Sequence, residues 1–455
     1  MVLGGIALFL LIRSSGETLV APAPAAAAAA SEAGVPGAPN ALLHVLLALA
    51  AVIVAGRLLG RLLRAVGQPP VIGEVLGGIF LGPSLLGRLA PGASAYILPS
   101  SVAPFLSVVA QLGVILYMFL VGLELNADLL RERAHVIVAT SHASILAPFV
   151  LGSWLALHLY PRLSSSGVPF TSFALFMGVA MSITAFPVLA RILTDRGMSK
   201  TELGVVALTC AAVNDVTAWC LLAFVVGVAQ AKMQSALVVA ILTFGFIGVM
   251  FLAVRPFVVR LVSRSSDHPP AQEAIALVLV CLLLSALATE RIGIHAIFGA
   301  FLFGAVIPHD SGLARTLTQR LEDLVTILLL PAFFAFTGMR TQIGLLSGLS
   351  DWLICALIIL VATVGKFGGT LVAARLTGMD WRQATSLGIL MNTRGLMELI
   401  VLNIGLDLEV ISPTLFTMMV LMALVTTIAT TPVLQLFGPS SFAKASHGRV
   451  WAAVR

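Results

Sequence analysis

The chain has 455 residues, of which 59 % are hydrophobic and only 10 % are charged. Soluble globular proteins carry about 25 % charged residues, so this composition excludes an ordinary soluble enzyme, a disordered protein and a nucleic-acid binder. The formal net charge of +6 is explained better by basic loops on one side of a membrane than by an anionic partner. The composition therefore predicts an all-α polytopic membrane protein.

Residues 1–40 precede the first full-length apolar run, and we expect them to form a leader. Their apolar segment, 2–12, is too short to cross a bilayer, and a stretch rich in alanine follows it at 20–30. Two alternatives remain open for this leader. It is either a signal peptide that is removed, or a retained disordered or interfacial segment.

Thirteen apolar runs follow, and each is compared with the roughly 20 residues that a membrane helix needs. They lie near 42–64, 70–87, 105–123, 136–160, 170–193, 203–229, 235–254, 272–289, 294–308, 324–339, 351–376, 383–405 and 413–437. Together they predict one membrane domain over residues 41–437, followed by a short tail at 438–455.

The positive charges give this membrane domain an orientation. The connections after odd-numbered spans, together with the tail, hold eighteen of the 26 lysines and arginines, whereas the opposite side holds six. Cytoplasmic loops are the ones enriched in lysine and arginine. We therefore expect an N-terminus outside and a cytoplasmic C-terminus, in the cell (inner) membrane.

Span two contains the first ionisable residue inside the membrane, Glu74. It lies among glycines spaced for close helix packing, and the sequence assigns it no role. Span five is interrupted by a segment from Ser182 to Pro187, where proline removes a backbone donor. The sequence predicts a broken helix here, with Ser182 and Thr184 offering oxygens to an ion.

Span six carries Asp215 near its middle, with no cationic neighbour along the chain. A charge at this depth costs several kcal/mol unless it is paired or hydrated, roughly 3 on insertion scales, so Asp215 is a candidate functional residue. Hard oxygen ligands suit metal cations such as Na⁺ or K⁺, and a carboxylate also accepts a proton. The alternative is a structural ion pair. The predicted cation- and proton-binding residues are Asp215, Asn214, Thr184 and Ser182.

Two further cations lie inside spans. Lys366 is at least ten residues from either end of span eleven, too far to reach the interface along its own stem. Arg394 and Glu398 in span twelve are four residues apart, so they are able to pair along one helix face. We expect these three residues to compensate charge or to form a core ion pair.

Span twelve is also interrupted, at Asn392-Thr393-Arg394-Gly395. Two broken helices in corresponding places of two halves are typical of a transporter binding site. The predicted broken-helix residues are Pro187, Asn392, Thr393 and Gly395. The sequence has no Walker motif, no GxGxxG segment and no TVGYG-like filter, which gives no basis for ATP-driven transport, an enzyme, a cofactor or a potassium channel filter.

Five segments in this order resemble the monovalent cation:proton antiporter-2 family, which includes bacterial Kef-type and sodium/proton antiporters and plant cation/H⁺ exchangers. They are Gln68-Pro-Pro-Val-Ile-Gly-Glu-Val-Leu-Gly-Gly-Ile through Gly82-Pro83-Ser84, Phe119-Leu-Val-Gly-Leu-Glu-Leu, Ser182-Ile-Thr-Ala-Phe-Pro-Val-Leu-Ala-Arg191, Ala212-Val-Asn-Asp-Val216 and Met391-Asn-Thr-Arg-Gly-Leu-Met-Glu-Leu-Ile400.

The resemblance implies a sodium/proton antiporter-like fold of thirteen helices with inverted repeats. In that fold a six-helix core holds two crossed, broken helices, and the remaining helices form a scaffold with a homodimer contact. The family's ion-binding aspartate corresponds to Asp215 and its lysine to Lys366. The resemblance also implies an elevator-like motion.

Two departures from the family pattern affect this reading. Asn214 precedes Asp215 where electrogenic relatives carry two aspartates, so we expect electroneutral exchange of H⁺ for Na⁺ or K⁺. Relatives with the Asn-Asp pair often carry arginine where this chain has Lys366. No nucleotide-binding domain is expected in this chain. A cation channel or uniporter on the same fold, and a non-transporting membrane sensor, remain alternatives.

Overall fold

The computed structural model describes residues 2–22, 41–123, 134–198, 201–230, 235–264 and 272–437. Nearly all of these residues are helical, and the only β pairing among them is an isolated bridge between Ser164 and Ile411. The predicted all-α fold class is therefore confirmed.

Twenty-one α-helices follow one another along the described residues. The first ten are α1 (Val2–Gly16), α2 (Ala41–Ala65), α3 (Pro70–Leu81), α4 (Leu86–Leu89), α5 (Pro91–Ile97), α6 (Ala103–Leu123), α7 (Ala134–Leu163), α8 (Phe170–Ser182), α9 (Phe186–Asp195) and α10 (Glu202–Gln230). The others are α11 (Ser235–Val249), α12 (Arg255–Arg264), α13 (Gln272–Ile292), α14 (Ala296–Val306), α15 (Gly312–Leu324), α16 (Leu330–Arg340), α17 (Leu349–Thr363), α18 (Gly369–Leu376), α19 (Trp381–Met391), α20 (Leu396–Asp407) and α21 (Pro413–Phe437).

By length and hydropathy, eleven helical segments of the described chain are able to cross a membrane, and the bent pair α19 and α20 makes a twelfth. The ninth predicted span, 294–308, is not among these twelve; it is represented by α14, which has only eleven residues. The residue after the helix, Ile307, is extended, and Pro308 follows. Proline disfavours helical geometry in the residue before it, which explains why α14 stops short.

The helices pack in two groups. In the first group α2, α3, α6, α13, α14 and α16 contact one another. In the second group α7 to α10 and α17 to α21 contact one another. Both predicted helix breaks, together with Asp215 and Lys366, belong to the second group.

Glycines bring α3 close to its neighbours in the first group. A Cβ atom added to Gly78 would lie 2.0 Å from the carbonyl oxygen of Phe334 on α16. A Cβ atom on Gly73 would lie 2.3 Å from the backbone nitrogen of Gly60 on α2. The glycine pattern around Glu74 therefore serves packing inside this chain, where small residues allow backbones to approach.

The described part of the leader is helical. Helix α1 packs against α7 and α8, with the rings of Phe9 and Phe149 5.9 Å apart. A Cβ atom on Gly16 would overlap the ring of Phe170. The leader's residues 23–40 and the tail at 438–455 lie outside the described residues, and both alternatives for the leader, removal and retention, stay open.

The close crossing of α3 and α16 predicts a cost for the smallest possible side chain. We expect Gly78→Ala to lower the free energy of unfolding by about 1–3 kcal/mol, because the added methyl group overpacks a backbone contact. Gly245→Ala on α11 is the matched control, since no atom from another part of the described chain lies within 4 Å of its added Cβ. Thermal unfolding midpoints in detergent check this; equal midpoints for the two variants would contradict it.

Candidate cation-binding site

The first broken span consists of α8 and α9. Between them, Ile183 and Ala185 are extended, and Pro187 lies in the first turn of α9. Proline is well tolerated at a helix start, because the first amide groups have no partner within the helix. The break predicted from Ser182 and Pro187 is thus present at residues 183–185.

The second broken span consists of α19 and α20, which are bent by 44° across residues 392–395. The hydroxyl of Thr427 on α21 accepts a hydrogen bond from the backbone N–H of Arg394 at 3.0 Å. A Cβ atom on Gly395 would lie 2.7 Å from Cγ2 of Val188, so glycine permits close contact with α9.

The two breaks are hydrogen-bonded to each other. The backbone N–H of Ala185 donates to the carbonyl of Thr393 at 3.0 Å. The hydroxyl of Thr184 donates to the carbonyl of Met391, also at 3.0 Å. Backbone groups freed by one break are therefore satisfied by the other, as a membrane interior requires.

Asp215 lies on α10 and is 3 % exposed. Neither of its carboxylate oxygens has a hydrogen-bond partner among the described residues, and Lys366 is close enough to interact with it electrostatically. A buried polar group without a partner costs free energy, roughly 1–3 kcal/mol by mutational data and more for a charge. This carboxylate is therefore available to a ligand.

Asn214, beside Asp215, is bound on several sides. One end of its amide lies 2.8 Å from the hydroxyl of Ser144 and 3.1 Å from that of Thr184. When the amide nitrogen donates to the carbonyl of Ser141 at 2.9 Å, the amide oxygen accepts from Nζ of Lys366 at 3.3 Å. This orientation avoids a contact between two acceptors, so it is the one that satisfies the network.

Lys366 and Arg394 both bind the C-terminal end of α8. Nζ of Lys366 donates to the carbonyl of Ser182. The guanidinium of Arg394 donates to the carbonyl of Ala180 at 3.0 Å and to that of Met181 at 2.6 Å. Two cations therefore satisfy the final carbonyls of α8, where the helix dipole is negative.

Arg394 also pairs with Glu398 through a bond of 2.8 Å, and both side chains are 0 % exposed. The ion pair predicted along one face of span twelve is present in the structure. Lys366 lies in a π-helical turn, Val364–Gly368, between α17 and α18. Such turns occur frequently at functional sites.

Three other predicted residues, Ser182, Asn392 and Thr393, differ in how their side chains are bonded. The hydroxyl of Ser182 donates to backbone carbonyls of Ile145 at 2.9 Å and Gly178 at 2.7 Å, so its carbonyl, not its hydroxyl, meets Lys366. The side-chain oxygens of Asn392 and Thr393 are buried without a hydrogen-bond partner among the described residues.

Sequence reasoning missed the contribution of α7. Ser141 and Ser144 bind Asn214, yet neither was among the predicted site residues. The signal available was the polar run from Thr140 to Ser144 inside the predicted span 136–160. Hydroxyl residues often bond to their own helix backbone, so such a run is weak evidence without a known partner.

Two cavities lie along the side of α20 that faces the first group of helices. The Glu74 cavity, of about 550 Å³, is lined by residues that include Arg57, Glu74, Pro187, Arg191 and Leu396. The Asp407 cavity, of about 410 Å³, is lined by residues that include Gln111, Glu290, Ile400, Asn403 and Asp407. Helix α6 lines the Asp407 cavity with residues between 110 and 115 and the Glu74 cavity with residues between 117 and 121, so the two cavities follow one another along that helix.

The arrangement of two hydrogen-bonded helix breaks beside a buried carboxylate can be compared with known proteins. Residues 48–436 match the family model for the transmembrane region of sodium/hydrogen exchangers. The chain belongs to the sodium/hydrogen exchanger family. This is a family of membrane transporters that carry out cation:proton antiport, so the predicted resemblance is confirmed.

Named relatives of the chain are antiporters. It is 44 % identical over 407 residues to the Na⁺/H⁺ antiporter NhaS4 of Synechocystis, covering 88 % of this chain and 98 % of the relative. It is 34 % identical over 385 residues to the K⁺/H⁺ antiporter 1 of Saccharomyces cerevisiae, covering 82 % of this chain and 44 % of the relative.

Further matches agree with this family. The cation/H⁺ antiporter 19 of Arabidopsis thaliana is 40 % identical over 402 residues, covering 87 % of this chain and 50 % of the relative, so the chain spans about half its length. The solved structure of the sodium proton antiporter MjNhaP1 of Methanocaldococcus jannaschii matches the fold with a TM-score of 0.63 at 16 % identity. The match covers 89 % of this chain and 99 % of that one.

The buried ion pair predicts a stability cost that depends on which partner is removed. We expect Arg394→Met to destabilise the protein by about 3–5 kcal/mol, because it leaves Glu398 buried without its cation. Replacing both residues by methionine should cost less, since no unpaired charge remains. Thermal unfolding midpoints in detergent measure the difference.

Arg13→Met is the matched control. Arg13 pairs with Glu17 at the same spacing of four residues, but both side chains are about half exposed. Exposed pairs contribute little, so this variant should unfold near the wild-type midpoint. A double variant less stable than Arg394→Met would contradict the assignment.

Proposed function

We propose that the chain is a secondary antiporter that exchanges a monovalent cation, Na⁺ or K⁺, for H⁺, with Asp215 as the shared site. The observation that carries this proposal is a buried carboxylate, next to the junction of two broken spans, that has no hydrogen-bond partner in the part of the chain that the structure describes. A carboxylate in this environment is stabilised by binding a proton or a cation.

Asn214 and Thr184 complete the site. Their side chains either supply oxygen ligands to the ion or hold other ligands in position. The hydroxyl of Thr184 lies 3.1 Å from one end of the Asn214 amide and 3.0 Å from the carbonyl of Met391 at the second break. Ser182 contributes through its backbone carbonyl, which fixes Lys366. The site is therefore assembled from spans five, six, eleven and twelve together.

The buried charges support exchange of one proton for one cation. When all four residues are ionised, the negative charges of Asp215 and Glu398 balance the positive charges of Lys366 and Arg394. All four residues are at most 3 % exposed. Binding a proton or a monovalent cation at Asp215 adds the same single charge to this cluster. The two loaded forms then carry equal charge across the membrane, so the exchange is electroneutral.

The two packing groups support an elevator-like motion. We assign α7 to α10 and α17 to α21 to a moving core, and α2, α3, α6, α13, α14 and α16 to a scaffold that also forms a homodimer contact. Two cavities lie along the boundary between these groups, and we assign them as the approaches to the site from the two sides of the membrane. We assign the Glu74 cavity to the cytoplasmic side of the cell membrane, with the N-terminus outside, because the basic loops favour that orientation.

The central assignment predicts that exchange requires the Asp215 carboxylate. In proteoliposomes, imposed gradients of Na⁺, K⁺ and other monovalent cations should drive a pH change, and Asp215→Asn should abolish it, because the amide cannot exchange a proton. Comparing cations in this assay also decides whether Na⁺ or K⁺ is the transported cation. The relatives leave this choice open, because one is named a Na⁺/H⁺ antiporter and another a K⁺/H⁺ antiporter.

Asp380→Asn makes the same chemical change at a residue that is not part of the proposed cation site. Asp380 caps α19 by accepting from the backbone N–H groups of Arg382 and Gln383, and asparagine caps helices equally well. This control should retain exchange. Cation flux without a pH change would favour a channel or uniporter. Transport surviving in Asp215→Asn would overturn the assignment, and a chain that moves no ion at all would favour a membrane sensor.

Electroneutrality predicts that the wild-type exchange rate does not respond to an imposed membrane potential. Asn214→Asp introduces a second carboxylate of nearly equal volume, within reach of Lys366 and the hydroxyls of Ser144 and Thr184. We expect this variant to become sensitive to potential, because the loaded forms then differ in charge. A wild-type rate that changes with potential would contradict electroneutral exchange.

A further inference from the structure

We propose that Arg340, Asn403 and Asp407 form a latch that holds one end of the core against the scaffold, and so sets which side of the membrane the ion site faces. The proposal rests on the proposed function, since it uses the same core and scaffold. It adds residues that neither the buried site nor the family motifs contain.

The latch consists of three contacts between α16 and α20. The guanidinium of Arg340 donates to Oδ1 of Asp407 at 2.6 Å and to Oδ1 of Asn403 at 3.3 Å. Nδ2 of Asn403 donates to the hydroxyl of Thr337 at 2.9 Å. Arg340 also lies over the ring of Phe336, 4.1 Å from its centroid, which fixes the guanidinium plane.

The latch lies beside the Asp407 cavity, at the end of α20 that is remote from the helix break. The face of α20 passes from one cavity to the other within a single turn, because Leu396 lines the Glu74 cavity and Ile400 lines the Asp407 cavity. Rotation or sliding of α20 against α16 therefore opens one cavity while it closes the other. Such a motion must separate Arg340 from Asp407.

The exposure of the pair is suited to repeated opening. The side chains of Arg340 and Asp407 are 28 % and 39 % exposed, in contrast to the fully buried pair of Arg394 and Glu398. A solvated ion pair contributes only modestly, since water replaces each lost contact. The latch therefore biases the equilibrium between two positions without locking either one.

A second contact at the same end limits the expected effect. The backbone N–H of Gln342 donates to the hydroxyl of Thr417 on α21 at 3.2 Å, and no change at Asp407 removes it. We therefore expect Asp407→Asn to shift the balance between the two positions by about fivefold, toward opening of the Asp407 cavity.

Labelling of single cysteines tests this directly. On a background with the four native cysteines replaced, Ile400→Cys and Leu396→Cys report on the Asp407 cavity and the Glu74 cavity. Their reaction with a membrane-impermeant maleimide is measured in vesicles, with the reagent on either side. Asp407→Asn should raise the labelling rate at position 400 from the outside by about fivefold and lower the rate at position 396 from the inside.

Two controls separate a latch from general loosening. Asp351→Asn removes a comparable ion pair, between Asp351 and Arg162 at 3.7 Å, but both partners belong to the core, so neither labelling rate should change. Asp407→Glu keeps the charge and should retain wild-type rates. Unchanged rates in Asp407→Asn, or a parallel rise at both positions, would overturn the proposal.

Labelling does not depend on transport, so the two proposals can fail separately. If the reciprocal shift is found but no cation drives a pH change, the latch stands and the antiport assignment falls. If exchange requires Asp215 but Asp407→Asn labels like the wild type, antiport stands and the latch is wrong. With both correct, Asp407→Asn should also lower the apparent KM for the external cation.

Discussion

Two helices that stop inside the membrane impose the constraint on which the rest of the structure depends. The last carbonyls of α8 have no helical partner, and lipid offers no donor to satisfy them. Lys366 and Arg394 supply those donors from two other spans. A break in span five therefore requires cations in spans eleven and twelve, and this requirement fixes how the core is assembled.

Burying two cations creates a second requirement, for negative charge. Glu398 satisfies part of it through direct pairing with Arg394 on the same helix. Asp215 carries the remaining negative charge, but its oxygens bind no donor among the described residues. The neutralising charge for Lys366 is thus held in place without being hydrogen-bonded, which leaves it free to exchange a proton for a cation under the proposed function.

Much of this centre was predictable because charge is scarce in the spans. Asp215, Lys366 and the spacing of Arg394 and Glu398 stand out in apolar sequence, and proline and glycine mark both breaks. Their partners did not stand out, because backbone carbonyls of Ala180 or Met181 have no sequence signature and lie more than 200 residues from Arg394. The length of α14 was missed for a different reason, since hydropathy does not register the backbone effect of a flanking proline.

The two ion pairs of α20 differ in burial, and this difference separates structure from motion. A buried pair is costly to break, because each unpaired charge would remain desolvated. Arg394 and Glu398 lie within one group of helices, so no proposed movement separates them. Arg340 and Asp407 join different groups and are partly exposed, so water stabilises both when they part. The proposed elevator-like motion needs both kinds of contact, and one helix provides them at its two ends.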